Sequence, residues 1–265
     1  MWLLSKGEGG VPKLAEWRTS VRVLSGTSGF SYAAWNGAFY PPRLPAGARL
    51  AHYASRLETV EANATFYRVP RPEVLAGWHT QVPPGFVFSL KAPRRLTHER
   101  QLRGGAELLG VFLRAAAELA ETLGPILYQL PPALPRDLPR LRDFLALLPR
   151  GAASAFEFRH PSWFHDGTLA ALSDAGAALC AAETDEARPL VVTTARFGYL
   201  RLRRSEYGRG DLERWAERIL AQPWREAFVY FKHEDEARGP AYALALRALV
   251  AGRGARPDSS PPPEQ

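Results

Sequence analysis

Charged and amide residues recur in this sequence at the ends of short apolar runs. Glu61 and Asn63 stand in TVEANAT, Lys91 in VFSLKAP, Gln129 in ILYQLP, and Glu157 and Arg159 in AFEFRHP. Glu183 closes ALCAAE, Arg201 and Arg203 lie in GYLRLR, and Lys232 and His233 in FVYFKHE. Two carboxylates among several cations suit two kinds of chemistry. The carboxylates can serve as a general acid and a general base, each tuned by the other and by neighbouring charge. The cations can hold an anion, arginine as a planar fork and lysine as a point charge. Glu61, Glu157 and Lys91 are therefore the catalytic candidates. Asn63, Tyr67, His98, Gln129, Arg159, His160, Trp163, Glu183, Arg201 and Lys232 are the candidates for substrate contact. The expected activity is hydrolysis or isomerisation of a phosphate- or carboxylate-bearing molecule. The plain alternative is a buried ion-pair network with no chemistry.

Residues this far apart in sequence meet only if regular elements bring them together. Eight short runs read as strands: Val21–Ser28, Thr59–Thr65, Val87–Ala92, Ile126–Leu130, Ala155–Arg159, Ala178–Glu183, Gly198–Arg203 and Ala227–Lys232. Helical stripes separate them, such as Leu108, Val111, Phe112, Ala115 and Leu119, and Asp211 is placed to cap a helix carrying Leu212 and Trp215. The stretch from Thr184 to Arg196 carries little helical pattern. Strand–helix alternation repeated eight times predicts one (β/α)8 barrel spanning residues 21–251. Residues 1–20 read as a peripheral extension and 252–265 as a disordered tail rich in Pro, Ser and Gly.

Alternate strand residues face opposite sides. Apolar Val60 and Ala62 turn Glu61, Asn63 and Thr65 inward. Phe88 and Leu90 do the same for Ser89 and Lys91, Phe156 and Phe158 for Glu157 and Arg159, and Leu200 and Leu202 for Arg201 and Arg203. The last strand is apolar on both parities, which leaves Lys232 and His233 undecided. All these groups fall at strand C-terminal ends, where barrels of this type carry their sites. Glycines before the seventh and eighth helices, in YGRGDLERW and EARGPAYA, could seat a phosphate on backbone N–H groups or simply punctuate the chain. GTSGFSY lacks the dinucleotide fingerprint, and its glycines read as a tight turn.

Composition bounds the partners. The chain has 265 residues, 46% of them apolar, and a net charge of +7. The positive balance favours an anionic small molecule and leaves nucleic acid as an alternative partner. No run of lysine and arginine reaches a nucleic-acid arm. A sole cysteine, Cys180, rules out an internal disulfide and a cysteine-rich zinc site, suits a cytoplasmic setting, and reads as a small core residue. No His-x-His or HExxH spacing predicts zinc, so no metal ligands are assigned, although Glu and His from separate strands could hold a divalent ion. No apolar run is long enough to cross a bilayer. A non-catalytic sensor of an anionic metabolite is the remaining alternative to an enzyme.

Five strings, GTSGFSYAAWNGAFYP, TVEANATFYRVP, KAPRRLTHER, LGPILYQLPP and FEFRHPSWF, resemble those of domain-of-unknown-function family 72, the YecE-like TIM-barrel proteins. The resemblance runs from about Val21 to Val250 and implies a TIM-like barrel. It implies no particular reaction. The polar rim it implies comprises Glu61, Asn63, Lys91, His98, Gln129, Glu157 and Arg159. Many members resembling this chain carry an Asn-Asn-Asp run after the last strand, where this chain has Lys232-His233-Glu234.

Overall fold

A computed structural model describes residues 21–254. Eight parallel strands close into a barrel in sequence order. They are β1 (Arg22–Ser28), β2 (Thr59–Ala62), β3 (Val87–Lys91), β4 (Leu123–Gln129), β5 (Ser154–Glu157), β6 (Ala178–Glu183), β7 (Phe197–Leu202) and β8 (Glu226–Phe231). The sheet leaves no free edge, because β8 pairs with β1 from Arg22↔Glu226 to Thr27↔Phe231.

Helices α1 (Arg49–Ala54), α2 (Ala64–Tyr67), α3 (Pro72–His79), α4 (Ala106–Ala116), α5 (Leu138–Leu147), α6 (Asp166–Asp174), α7 (Arg209–Leu220) and α8 (Arg238–Gly254) pack outside. Asp137 caps α5 through the Arg140 N–H, and Pro139 sits in its first turn, where a missing N–H costs nothing. The sixth crossover, residues 184–196, has no helix, in keeping with its missing stripe. α8 continues to Gly254, three residues past the boundary expected at 251. The expected extension (1–20) and the rest of the expected tail lie outside the described residues.

The core has two layers, as strand alternation requires. Val60, Phe88, Leu90, Tyr128, Phe156, Leu200 and Val229 pack between strands and helices. Leu24, Leu127, Ala155, Cys180, Tyr199, Phe228 and Tyr230 fill the barrel itself. Three local expectations need correction. β2 ends at Ala62, so Asn63 is the N-cap of α2 and Thr65 lies within that helix, and neither belongs to a strand face. Gly26 lies within β1, where a Cβ would stand 2.0 Å from the Thr59 carbonyl oxygen; it permits close strand approach, and only Gly29, at φ 95°, makes the turn. Asp211 is not the N-cap of α7 but its third residue, and its carboxylate reaches back to the Gly208 N–H at 3.0 Å.

Candidate functional site

The site is built from the inward residues at the last level of the strands. Register sets Ser28 of β1 beside Glu61 of β2, Glu61 beside Ser89 of β3, and Gln129 of β4 beside Glu157 of β5. Arg201 of β7 reaches across this level. Its Nε and Nη2 donate to Glu61 Oε1 at 3.2 and 2.9 Å, and its Nη1 donates to Glu157 Oε2 at 2.6 Å. Glu61 and Glu157 are fully buried, and Arg201 is 2% exposed. The other oxygen of each acid is also engaged. Tyr199 donates to Glu61 Oε2 at 2.7 Å, while Arg203 and Arg159 donate to Glu157 Oε1 at 3.0 and 3.1 Å. Ser89 Oγ lies 2.7 Å from the Tyr199 hydroxyl, and deeper in the barrel Thr59 Oγ1 lies 2.8 Å from that of Tyr230, so polar groups continue inward in satisfied pairs.

Charge does not balance at this level. Glu61 and Glu157 face Arg159, Arg201, Arg203 and Lys91, and Lys91 makes no ion pair among the described residues. The Lys91 ammonium instead lies 3.9 Å from the centroid of the Phe66 ring, a cation–π contact. Phe66 is placed there by its neighbour Thr65, whose hydroxyl donates to the Lys91 carbonyl at 2.6 Å and ties α2 to the end of β3. Burial, with Arg201 adding to it, pushes the Lys91 amine down to about 8. Burial pushes the Glu157 carboxyl up, but Arg201, Arg203 and Arg159 outweigh that and hold it well below the usual carboxylate range. A carboxylate so held is a weak base at neutral pH; it fixes arginines better than it moves protons. His98 packs 5.1 Å from the Phe66 ring, and burial together with Lys91 and Arg159 lowers its pKa, so these cations share one neighbourhood with it.

Four polar atoms at the mouth are buried with no hydrogen-bond partner among the described residues: Ser28 Oγ, Asn63 Oδ1, Gln129 Nε2 and Arg203 Nε. Such atoms cost free energy unless something meets them. A cavity of about 460 Å³ opens beside Glu157, between the ends of β5, β6 and β7. Among the described residues no three His, Cys, Asp or Glu side chains gather as a metal ion would require. No helix among the described residues is long and apolar enough to cross a membrane.

The structure therefore brings together Glu61, Lys91, Gln129, Glu157, Arg159 and Arg201, with Asn63 and His98 beside them. Tyr67 is 79% exposed and stacks edge-on against Phe66 at the rim. Four expected contacts fall elsewhere. Glu183 shares the parity of Leu179 and faces the helices, where its carboxylate accepts from the Tyr207 hydroxyl and from Trp215 Nε1. Trp163 is core, stacked 4.6 Å from Phe158 and bonded to the Leu134 carbonyl. His160 accepts from the Ser162 N–H and caps the turn that follows β5. Lys232 has the inward parity of Phe228 and Tyr230, yet it follows the last residue of β8 and is exposed; His233 is wedged against Tyr207 and Tyr242. The glycine turn before α7 is not open to a phosphate, because the Asp211 carboxylate takes the Gly208 N–H together with Arg204 and Arg214. Arg188, a wall of the cavity, lies in the patternless 184–196 stretch and gave no signal. Tyr199 could have been found, since the parity that turns Arg201 inward turns it inward too.

A closed parallel barrel with a charged network at its C-terminal mouth defines the class: a TIM-barrel protein with its polar groups where such barrels carry sites. The family follows from comparison. The family model described as "Protein of unknown function DUF72" matches residues 24–265, and the chain belongs to that family. It is 38% identical over 119 residues to the UPF0759 protein YecE of Escherichia coli K12; the matched stretch covers 44% of this chain and 44% of that protein, less than half the relative's length. Among solved structures it is similar to a DUF72 family protein from Thermotoga maritima, with 25% identity and a TM-score of 0.74 over 87% of this chain and 99% of that one. A DUF72 family protein from Enterococcus faecalis, 19% identical with a TM-score of 0.72 over 92% of this chain and 99% of that one, shares the fold.

Proposed function

We propose that the barrel mouth binds a small phosphate- or carboxylate-bearing molecule and that the chain is an enzyme in which Lys91 moves the proton. The reading rests on Lys91, a buried cation that packs on an aromatic ring and makes no ion pair among the described residues. Its amine, near 8, exchanges a proton close to physiological pH, as a general acid or base must. Arg159 and Arg203 share one oxygen of Glu157 and keep donors to spare for an anion. Glu61 and Glu157 hold Arg201 in place, and Gln129 Nε2 supplies a further donor at the same level. Proton transfer at a carbon or oxygen next to the anion, the step of an isomerase or of a hydrolase, fits this set. The test is calorimetric titration of the wild type, Lys91→Ala and Arg159→Ala with phosphorylated and carboxylated metabolites, beside their melting curves. Each substitution should weaken anion binding by about 1.5–3 kcal/mol with the fold intact. No anion binding by the wild type, with both variants unfolded, would reduce the mouth to a structural network. Binding without turnover of any ligand found would leave a sensor.

A further inference from the structure

The cavity beside Glu157 has two ends of different chemistry. At one, Arg159 and Arg203 converge on the same carboxylate oxygen, and the buried Arg203 Nε has no partner among the described residues. At the other stand Phe164 and Leu190, which are 47% and 43% exposed. Large apolar side chains left in water are few among the described residues, and two of them lining one cavity is the pattern of a binding wall. The space exists because β6 turns small residues inward here. Ala182 pairs in register with Arg201 and Cys180 with Tyr199, so small side chains stand where larger ones would fill the barrel between β5 and β7. The 184–196 crossover, lacking a helix, folds over the opening and carries Arg188 and Leu190 into its wall. It is tied down from α7, where Arg218 donates to the Pro189 carbonyl at 3.1 Å.

We infer that this cavity takes the apolar body of the bound molecule, and that the ligand class is therefore an aromatic phosphate or carboxylate, its anion on Arg159 and Arg203 and its ring against Phe164, Leu190 and Ala182. This rests on the anion reading above and adds the requirement for a ring. At about 460 Å³ the cavity admits a ring with substituents and lies within the range of small-molecule sites.

The full chain is titrated with inorganic phosphate against phenyl phosphate, and with acetate against phenylacetate. The phenyl member of each pair should bind roughly tenfold tighter than its bare ion, the worth of burying part of a ring. The tighter of the two bare ions names the head group. Ala182→Leu should erase the gain while phosphate binding stays. Leu190→Ser, on the crossover and outside the barrel, should cut the gain without touching the fold, which covers the case in which Ala182→Leu overpacks the strand ends. Equal affinities within both pairs in the wild type, or a gain that survives Leu190→Ser and a folded Ala182→Leu, overturns the cavity assignment while leaving the anion site standing. Failure of all four probes to bind overturns the anion reading itself.

Discussion

Arg201→Met tests whether the mouth is held together as the geometry implies. The side chain is 2% exposed and supplies three charge-assisted hydrogen bonds, two to Glu61 and one to Glu157. Methionine roughly keeps the volume and removes every donor. Glu157 would retain Arg159 and Arg203, but Glu61 would keep only the Tyr199 hydroxyl in a site with no solvent exposure. Stranding a buried partner costs about 3–5 kcal/mol. In a chain of this size that lowers Tm by roughly 6–20 °C. The assay is urea unfolding of wild type and variant at pH 7.5. A second variant, Glu61→Gln with Arg201→Met, should recover part of the loss, since the cost lies in the unpaired charge and not in the lost contact. A single-variant loss under about 1 kcal/mol, or a double variant worse than the single by the full cost of a second lesion, would refute the view that Arg201 and Glu61 compensate each other.

Gly26→Ala should destabilise by roughly 1–3 kcal/mol or more, because the new Cβ meets the Thr59 carbonyl backbone, which has no rotamer to yield; an unchanged urea midpoint would show that β1 and β2 have slack. Lys91 gives a pH signature. Its amine stands near 8 when folded against an ordinary 10.5, so the unfolded chain binds more protons between those values and stability should rise with pH across that window, by up to about 3 kcal/mol. Lys91→Met should flatten that slope, and an identical slope in the variant would rule the assignment out. Burial pushes the Cys180 thiol well above its ordinary value, so it is no nucleophile; Cys180→Ala should leave phosphate binding within about twofold of wild type, a change too small to signal a lost contact. Loss of binding in a folded Cys180→Ala would give the thiol a role.

Much of the mouth was legible because parity is a strong signal wherever one face is bulky and apolar. Val60 and Ala62, Phe88 and Leu90, Phe156 and Phe158, and Leu200 and Leu202 each fixed their strand's faces, and the charges between them point inward. The same signal fails where side chains are uniform. β6 reads ALCAAE, and only Leu179 marks the outer face; that one residue already sets Glu183 outward with it. β8 is filled on both faces by Phe, Val and Tyr, so nothing in its pattern separates Lys232 from His233, and the strand ends before either. Loops carry no period at all. Whether Trp163 and Phe164, adjacent in sequence, pack inward or line a cavity is settled by the Phe158 ring and the Leu134 carbonyl, which pull Trp163 into the core and leave its neighbour at the opening.

Two acids at a barrel mouth suggest an acid and a base, yet the hydrogen bonds give these two another task. A general base needs a lone pair free to take a proton. Glu157 has three arginines on its two oxygens, and Glu61 has Arg201 on one and Tyr199 on the other. Their effect is to hold cations at fixed positions in a site that would otherwise repel them. Pairing neutralises the arginines only in part, since the acids are outnumbered, and the remaining positive charge acts on Lys91, which makes no ion pair among the described residues. Lys91 is pushed down by burial and by Arg201 together, and the charge of the proposed anion would offset both. Anion binding and the protonation of Lys91 are then linked: near pH 8 the complex should take up a proton, which calorimetry in buffers of different ionisation enthalpy reads directly. A proton count of zero at that pH would separate the lysine from the anion and return the search for the moving proton to the acids.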